Sequence, residues 1–261
     1  MKILITGASS GIGYQLGVAL SKRGHVVYMT VHTAKELDRL KEKLKEDFVE
    51  ALSFKMDITT DDIRLVDHLD IDCLINHAGV GYGGSLLAMD IDVLRENYEV
   101  NVFSSFRLLR RVYQNMEKRH IKGKIFVTSS AAGYLPFPFL GCYTSSKASI
   151  TMLCRTIKKE LEYLKSDISI SVIEPGAYHT GFNQVMIDNK SKFLDKDSFF
   201  YKKRISINRM QRHLFSLLEK DSYDDLVNKV VKEIEKEKPQ FMIRRPIFLN
   251  VFLKLYFLFW Y

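Results

Sequence analysis

The sequence predicts an α/β fold, a single domain with a mostly parallel sheet of seven strands and helices on both faces. Short apolar runs alternate with polar, helix-like segments along the chain, which is the order of βαβ units. The runs are continuously apolar, as in strands that are covered on both faces of a sheet. The length of 261 residues suits one large α/β domain.

Seven runs carry the strand signal. A glycine-rich turn closes the first run, and a helical pattern follows from about Gly11 to Lys22, with Gly24 positioned to end that helix. Polar helical stretches separate the later runs. The predicted strands are KILIT at 2–6, HVVYMTV at 25–31, ALSFKMD at 51–57, DCLIN at 72–76, KIFVTSS at 124–130, ISISVIEP at 168–175 and FMIRR at 241–245.

The net charge of +8 serves solubility, or attracts a phosphate-bearing ligand, a nucleic acid or an anionic membrane. Acids and bases are interleaved, as in KELDRLKEKLKED at 35–47, which is typical of solvated helix faces. No basic-aromatic motif occurs, so nucleic acid is not an expected partner.

The three cysteines are Cys73, Cys142 and Cys154, and their spacing matches no CxxC or metal motif. We therefore expect no disulfide, no metal site and a reducing compartment. Met1 leads almost directly into a strand with no apolar signal segment before it, which favours the cytoplasm.

Two segments stand apart from the βα pattern. Residues 181–221 carry amphipathic pieces and no strand signal, and an insertion at this point of a doubly wound sheet is a candidate lid over the ligand. The tail at 247–261 is almost wholly apolar but shorter than a bilayer span. We expect a catalytic domain at 1–246 and a tail that packs on the body or a second subunit, with peripheral membrane contact as the alternative.

The first turn carries Gly7, Gly11 and Gly13 between a strand and a helix. This is the setting of a Rossmann-type dinucleotide-binding turn, in which backbone amides and the helix N-terminus hold a pyrophosphate. An ordinary glycine-rich turn is the alternative for this motif taken alone.

Tyr143 and Lys147 are four residues apart in YTSSK, so on a helix the phenol and the ammonium share a face. A free tyrosine has a pKa of about 10, and a neighbouring cation would lower it. Ser130 follows the fifth predicted strand, and Asn101 lies in a helical segment. Neither would stand out alone.

In their order and spacing these motifs resemble the short-chain dehydrogenase/reductase family, in its single-domain branch of roughly 250 residues. The resemblance covers the chain to about residue 243. The matching pieces are TGASSGIG at 6–13, MDI at 56–58, NHAG at 76–79, Asn101, TSSAAG at 128–133, YTSSK at 143–147 and PGAYHT at 175–180.

The resemblance implies a catalytic set. Tyr143 would be the general acid in carbonyl reduction and the base in the reverse reaction. Lys147 would lower the pKa of Tyr143 and hydrogen-bond the nicotinamide ribose. Ser130, thirteen residues before Tyr143, would polarise the substrate carbonyl, and Asn101 would hold a water that links Lys147 to solvent.

The resemblance also implies a cofactor site, in which Asp57 and Ile58 contact the adenine and Thr180 holds the carboxamide. The implied cofactor-binding residues are Gly7, Ser9, Ser10, Gly11, Ile12, Gly13, His32, Asp57, Ile58, Asn76, Ala78, Gly79, Tyr143, Lys147, Pro175, Gly176 and Thr180.

Two departures from the family pattern matter. The usual NNAG reads NHAG, and we assign His77 no catalytic role because that position is mainly structural. Val31 stands where NAD-preferring members carry an acid, which favours NADP(H). The arginine usual in NADP(H)-preferring members is also missing, with Ser10 and His32 at its positions, so NAD(H) stays open.

We expect an oxidoreductase that interconverts a ketone or aldehyde and an alcohol. Aromatic residues in GYLPFPFLGC and at Phe182 favour an apolar substrate, although the rings could instead pack in the core. The alternatives are a dinucleotide sensor without turnover, a sugar-nucleotide epimerase of the longer branch, and a membrane-associated scaffold. The family commonly forms dimers or tetramers, so we expect a homo-oligomer.

Overall fold

The computed structural model describes residues 1–190, 198–248 and 253. Its centre is one sheet of seven strands in the order β3-β2-β1-β4-β5-β6-β7. Every neighbouring pair runs parallel. The strands are β1 Lys2–Ile5, β2 Val26–Val31, β3 Leu52–Lys55, β4 Cys73–Asn76, β5 Lys124–Thr128, β6 Ser169–Pro175 and β7 Met242–Arg245.

Helices cover both faces of the sheet. The α-helices are α1 Gly11–Ser21, α2 Ala34–Glu46, α3 Ile91–Tyr98, α4 Ser105–Lys118, α5 Gly141–Leu164, α6 Phe182–Lys190, α7 Arg204–Leu218 and α8 Asp224–Glu235. In the described residues, 3₁₀ helices run over Asp61–His68, Ala131–Tyr134 and Tyr201–Lys203. A π-helical segment, Glu99–Ser104, joins α3 to α4.

Two apolar cores lie on the two faces of the sheet. Ile3 and Ile5 of β1 belong to the core under α1, α2 and α8, whereas Leu4 between them belongs to the core under α4 and α5. This division follows from the strand period of two. It also explains why the strands read as continuous apolar runs, since side chains on both faces are buried.

The order in which strands are added to the sheet changes direction at β1: β2 and β3 lie on one side of it, and β4 to β7 lie on the other. Strand β1 pairs with β2 on one side and with β4 on the other, so the loops after β1 and β4 separate above their C-terminal ends. In doubly wound sheets this is the crevice that receives ligands.

The predicted fold class is confirmed, with all seven strands parallel. Two strands end two residues earlier than predicted: β3 at Lys55 and β5 at Thr128. After β5 the chain turns at once, because the Ser130 hydroxyl accepts the Ala132 amide and caps a 3₁₀ helix. Ser130 therefore lies in a turn beyond the sheet rather than within a strand.

The proposed lid region carries α6, the 3₁₀ turn at Tyr201–Lys203 and α7; residues 191–197 lie outside the described part. The apolar tail also lies outside it beyond Phe248, except for Leu253. Across the described residues, no helix is both long enough and apolar enough to cross a membrane. The three cysteines are buried and free.

Candidate active site

The predicted cofactor residues gather at one edge of the sheet. The glycine turn follows β1, His32 follows β2, Asp57 follows β3 by two residues, and the segment from Pro175 to Thr180 begins at the end of β6. Because the strands are parallel, their C-terminal ends meet at the same edge.

The glycine turn leads directly into α1. Gly11, the first residue of this helix, has a φ of +56°, and a Cβ there would lie 3.2 Å from the Cβ of Thr180. Thr180 is therefore next to the glycine turn. The N-cap residue Ser10 makes no side-chain capping bond, which leaves amides of the first helical turn to receive an anion.

The NHAG segment is fastened to its neighbours. The Thr6 hydroxyl accepts the amides of His77 and Ala78 at 2.9 and 3.0 Å. The Asn76 amide group donates to the carbonyl and hydroxyl oxygens of Ser105 at 2.8 and 2.9 Å. The Asn76 side chain is thus turned into the core, and contact with a cofactor falls to the backbone after it.

His77 packs beneath the glycine turn. Its Nδ1 lies 3.0 Å from the Thr128 hydroxyl, and a Cβ on Gly13 would lie 2.8 Å from its ring. Burial, with a smaller contribution from the charge of Lys147, lowers the pKa of His77 to about 4. A neutral, packed imidazole agrees with the structural role assigned to this position.

Tyr143 lies in the first turn of α5 and is buried. The Ser130 hydroxyl is near enough to act on the phenol, and it works to lower the pKa of Tyr143. The Ser130 oxygen also accepts the Ala132 amide. Two of the predicted catalytic groups are therefore neighbours.

The expected lowering of the Tyr143 pKa is wrong for this structure. Burial raises the pKa of Tyr143 to about 12, and the Ser130 hydroxyl opposes this only in part. Lys147 does not counter the effect because its Nζ lies over the ring, 5.8 Å from the centroid, and donates to the Thr128 carbonyl at 3.0 Å. Burial lowers the pKa of Lys147 itself to about 8.

Asn101 lies in the π-helical segment, a type of helix distortion frequent at functional sites. Its side chain exchanges two hydrogen bonds of 2.9 Å with the backbone of Val80 and donates to the Ser146 hydroxyl at 3.0 Å. A Cβ on Gly79 would lie 3.0 Å from the Asn101 Oδ1 and 3.4 Å from the Lys147 Nζ. Because Gly79 has no side chain, the side chains of Asn101 and Lys147 can both lie close to it.

At the opposite end of the crevice, Asp57 accepts the amide and hydroxyl of Thr59 at 2.9 and 2.7 Å. The His32 Nε2 lies 3.3 Å from its other carboxylate oxygen. Burial alone would raise the pKa of Asp57, but the Thr59 hydrogen bonds and His32 together lower it. Asp57 is therefore a fixed anion beside His32.

Sequence reasoning missed Glu36. Its carboxylate accepts the backbone amides of His32 and Thr33 at 3.1 and 3.0 Å, while the Thr33 hydroxyl accepts the Glu36 amide at 3.2 Å. This is a capping box at the start of α2. The pattern T-x-x-E was visible in the sequence. It brings a negative charge to the end of β2, where Val31 had indicated that no acidic residue was present.

An apolar roof covers Tyr143. Leu140, Met186 and Phe215 form a buried cluster with Tyr143, and Phe182 packs against it with its ring centroid 5.6 Å from that of Tyr143. The roof comes from α6, α7 and the loop before α5.

A buried ionic network next to the Ser130 turn was also missed. Glu174 is fully buried; it accepts the Tyr134 hydroxyl at 2.7 Å and the Arg244 Nε at 2.9 Å. Arg155 on α5 donates to the same Tyr134 hydroxyl at 3.0 Å. Burial raises the pKa of Glu174, and Arg244 and Tyr134 counteract this in part. The network joins the Ser130 turn to β6, β7 and α5.

In the described part of the chain, no three His, Cys, Asp or Glu side chains are grouped so that they could hold a metal ion. The residues that do converge are a tyrosine, a lysine, a serine and an asparagine beside a glycine-rich turn. This set suits proton transfer next to a bound dinucleotide.

Comparison with known proteins agrees with this geometry. The family model for short chain dehydrogenase matches residues 1–191. Retinol dehydrogenase 8 of Bos taurus is 28% identical over 251 residues, covering 91% of this chain and 78% of that protein. Farnesol dehydrogenase of Aedes aegypti is 31% identical over 188 residues, covering 68% of this chain and 77% of that protein.

Among solved structures, a short-chain dehydrogenase/reductase from Burkholderia phymatum in complex with NAD superimposes with a TM-score of 0.81. The identity is 20%, and the match covers 97% of this chain and 92% of that one. At this identity the likeness shows a shared fold.

Proposed function

The chain belongs to the short-chain dehydrogenase family, and we propose that it interconverts an apolar alcohol and its ketone or aldehyde by hydride transfer. It is an oxidoreductase that uses a nicotinamide dinucleotide. The observation that carries the finer proposal is the pair of neighbouring Ser130 and Tyr143 hydroxyls beneath an apolar roof. This pair can donate a proton to an oxygen atom that gains negative charge.

The bound cofactor supplies or accepts the hydride. The protein's part is to hold the carbonyl oxygen and to supply the proton. A Tyr143 hydroxyl with a pKa of about 12 stays protonated near neutrality, so it is ready to act as the acid in reduction. Ser130 holds the same oxygen from the other side and fixes the geometry.

Lys147 has two tasks in this proposal. Its ammonium group balances the phenolate that forms when Tyr143 gives up its proton, and it binds hydroxyls of the nicotinamide ribose. Its anchor on the Thr128 carbonyl and its approach to Gly79 support this position. Asn101 holds the π-helical segment against Val80 and orders a water next to Lys147.

The glycine turn, the backbone after Asn76 and the segment from Pro175 to Thr180 line the crevice for the cofactor. The uncapped N-terminus of α1 suits the pyrophosphate, and Asp57 with Ile58 lies on the adenine side. These features fit a dinucleotide without any further group.

Val31 leaves the end of β2 without an acid of its own, and this favours NADP(H). The carboxylate of Glu36 on the amides of His32 and Thr33 works in the opposite direction, because it would repel a 2′-phosphate. We propose that NADP(H) and NAD(H) both bind, and that Glu36 limits the preference for NADP(H).

An apolar substrate is favoured by the roof around Tyr143, since Phe182, Met186 and Phe215 offer no partner to a second polar group on the substrate. Two of the relatives are named for retinol and farnesol, both apolar alcohols. A dinucleotide sensor without turnover is the weaker alternative, because it needs neither the Ser130–Tyr143 pair nor Lys147.

We also propose that two copies associate through the outer face of α3 and the π segment. Leu86, Ile91 and Phe103 are all more than half exposed there. They line one shallow apolar groove together with Leu94 and Tyr98. Sedimentation of Phe103→Ser against the unaltered protein tests this: the dimer should weaken in the variant.

The deciding experiment follows NADPH and NADH consumption with aliphatic, aromatic and steroid-like ketones, using Tyr143→Phe as the comparison. Turnover of an apolar ketone by the unaltered chain, lost in a variant that still binds the cofactor, would support the proposal. Tight cofactor binding with no turnover of any ketone would favour the sensor.

A further inference from the structure

We propose that the outer face of α7, with the turn before it, docks on an anionic phospholipid bilayer. We call this surface the basic lid face. It consists of Phe199, Lys202, Lys203, Ile205, Arg209 and Arg212, all of which are exposed. Only the purpose of this docking rests on the proposed function: an apolar substrate partitions into membranes, so docking would bring the enzyme to its substrate.

The charged residues of this segment all have one sign. Residues 198–218 contain five lysines and arginines and no aspartate or glutamate. Helix α2, by contrast, interleaves its bases with acids at helical spacing. A block of one sign concentrates a positive potential, and anionic lipid headgroups complement it.

Exposed apolar side chains lie among these charges. Phe199 is 89% exposed and Ile205 is 65% exposed. A nucleic acid or an acidic protein partner would neutralise the charges but leave these two side chains without an apolar environment. A bilayer interface accommodates both kinds of group, as it does for interfacial amphipathic helices.

The opposite face of α7 belongs to the active site. Ile207, Gln211 and Phe215 are spaced by four residues and are buried, and Phe215 packs in the apolar roof around Tyr143. One helix thus presents its inner face to the candidate substrate site and its outer face to solvent. Docking of the outer face would bring the site close to the acyl chains that dissolve the substrate.

The beginning of the apolar tail lies near the end of the same helix. The ring of Phe248 is 5.9 Å from the Nζ of Lys220, two residues beyond the end of α7. Ile247 and Phe248 are both exposed, and the residues that follow them are apolar apart from Asn250 and Lys254. The first residues of the tail therefore lie near the C-terminal end of α7.

Vesicle flotation of the full chain tests the proposal. The unaltered protein should bind vesicles of phosphatidylcholine mixed with phosphatidylserine, bind pure phosphatidylcholine more weakly, and lose affinity as salt is raised. The variant Lys202→Gln/Lys203→Gln/Arg209→Gln should bind the mixed vesicles about tenfold more weakly or worse. The control Arg39→Gln/Lys41→Gln/Lys45→Gln removes the same charge from exposed positions of α2 and should change binding less than about twofold.

Equal losses in the two triple variants would overturn the proposal, since net charge alone would then explain binding. So would unchanged binding in the lid variant, or a preference of the unaltered chain for RNA over the mixed vesicles. Phe199→Ser should reduce the binding that remains at high salt, whereas Phe48→Ser, which alters another exposed phenylalanine at the end of α2, should not.

Thermal melting and cofactor titration establish that each variant is folded. Flotation needs neither substrate nor turnover, so loss of the docking proposal would leave the proposed reaction untouched. Vesicle binding by a chain that turns over no ketone would count against the reaction alone.

Discussion

The Ser130 hydroxyl, in the turn after β5, lies near the Tyr143 phenol, in the first turn of α5, and acts to lower the pKa of that phenol. The Ser130 oxygen also accepts the Ala132 amide. Tyr143 in turn keeps its own proton, because burial raises its pKa to about 12. A carbonyl oxygen placed between the two hydroxyls would meet two donors, and only Tyr143 needs to release its proton.

Removal of the Tyr143 hydroxyl tests this arrangement. Tyr143→Phe keeps the ring against Phe182 but removes the proton donor. The expected loss in kcat is about 100-fold to about 10000-fold, with little change in cofactor affinity. Tyr163→Phe is the matched control, because Tyr163 lies on the same helix but is exposed; equal losses in both variants would count against a catalytic Tyr143.

The pH dependence of ketone reduction should report Lys147. Tyr143 stays protonated throughout the accessible range because its pKa is raised to about 12. Burial lowers the pKa of Lys147 to about 8, so its positive charge is lost as pH rises through about 8. We expect kcat/KM for reduction to be level at lower pH and to fall above about pH 8.

Ser130→Ala tests whether the fall above about pH 8 comes from Lys147 or from Tyr143. Burial, not Ser130, causes the shift at Lys147, so the variant should be slower while the fall in its pH profile stays in place. A fall that moves with Ser130→Ala would mean that Tyr143 titrates in this range instead.

Most of the fold follows from the local sequence. Runs such as CLIN and KIFVT are apolar at every position because helices cover both faces of the sheet. The catalytic candidates could be named for a different reason, since each lies in a short motif at the end of a strand or the start of a helix. The loops of such a fold then bring these candidates together at the C-terminal edge of the sheet.

What could not be predicted depends on distant pairs and on burial. Glu174 meets Tyr134 across 40 residues and Arg244 across 70, and neither separation has a signature in a single sequence. The raised pKa of Tyr143 could not be predicted either, because it depends on Met186 and Phe215 in a region with no strand signal. Glu36 differs from both: its capping pattern was present, but its closeness to the end of β2 required the structure.

The buried Glu174–Arg244 pair should matter for stability. Glu174→Gln keeps an acceptor for Tyr134 but removes the carboxylate charge that Arg244 faces beside an apolar core. We expect a loss of about 3–5 kcal/mol in the free energy of unfolding, measured by urea denaturation. Glu235→Gln is the control: its salt bridge to Arg23 is partly exposed, so its loss should cost about 1 kcal/mol or less.

Glu36 should control the choice between the two nicotinamide dinucleotides. Its carboxylate accepts the amides of His32 and Thr33, near the place expected for the adenosine ribose. Glu36→Gln keeps a capping group for these amides but removes the charge that would repel a 2′-phosphate. A unit charge at about 4 Å in water contributes about 1 kcal/mol, so the ratio of the NADP⁺ to the NAD⁺ dissociation constant should fall about fivefold.

Fluorescence titration measures both constants without turnover. Glu42→Gln removes the same charge further along α2 and should leave the ratio unchanged; a ratio equally unmoved by Glu36→Gln would assign the discrimination to His32 and Asp57 instead.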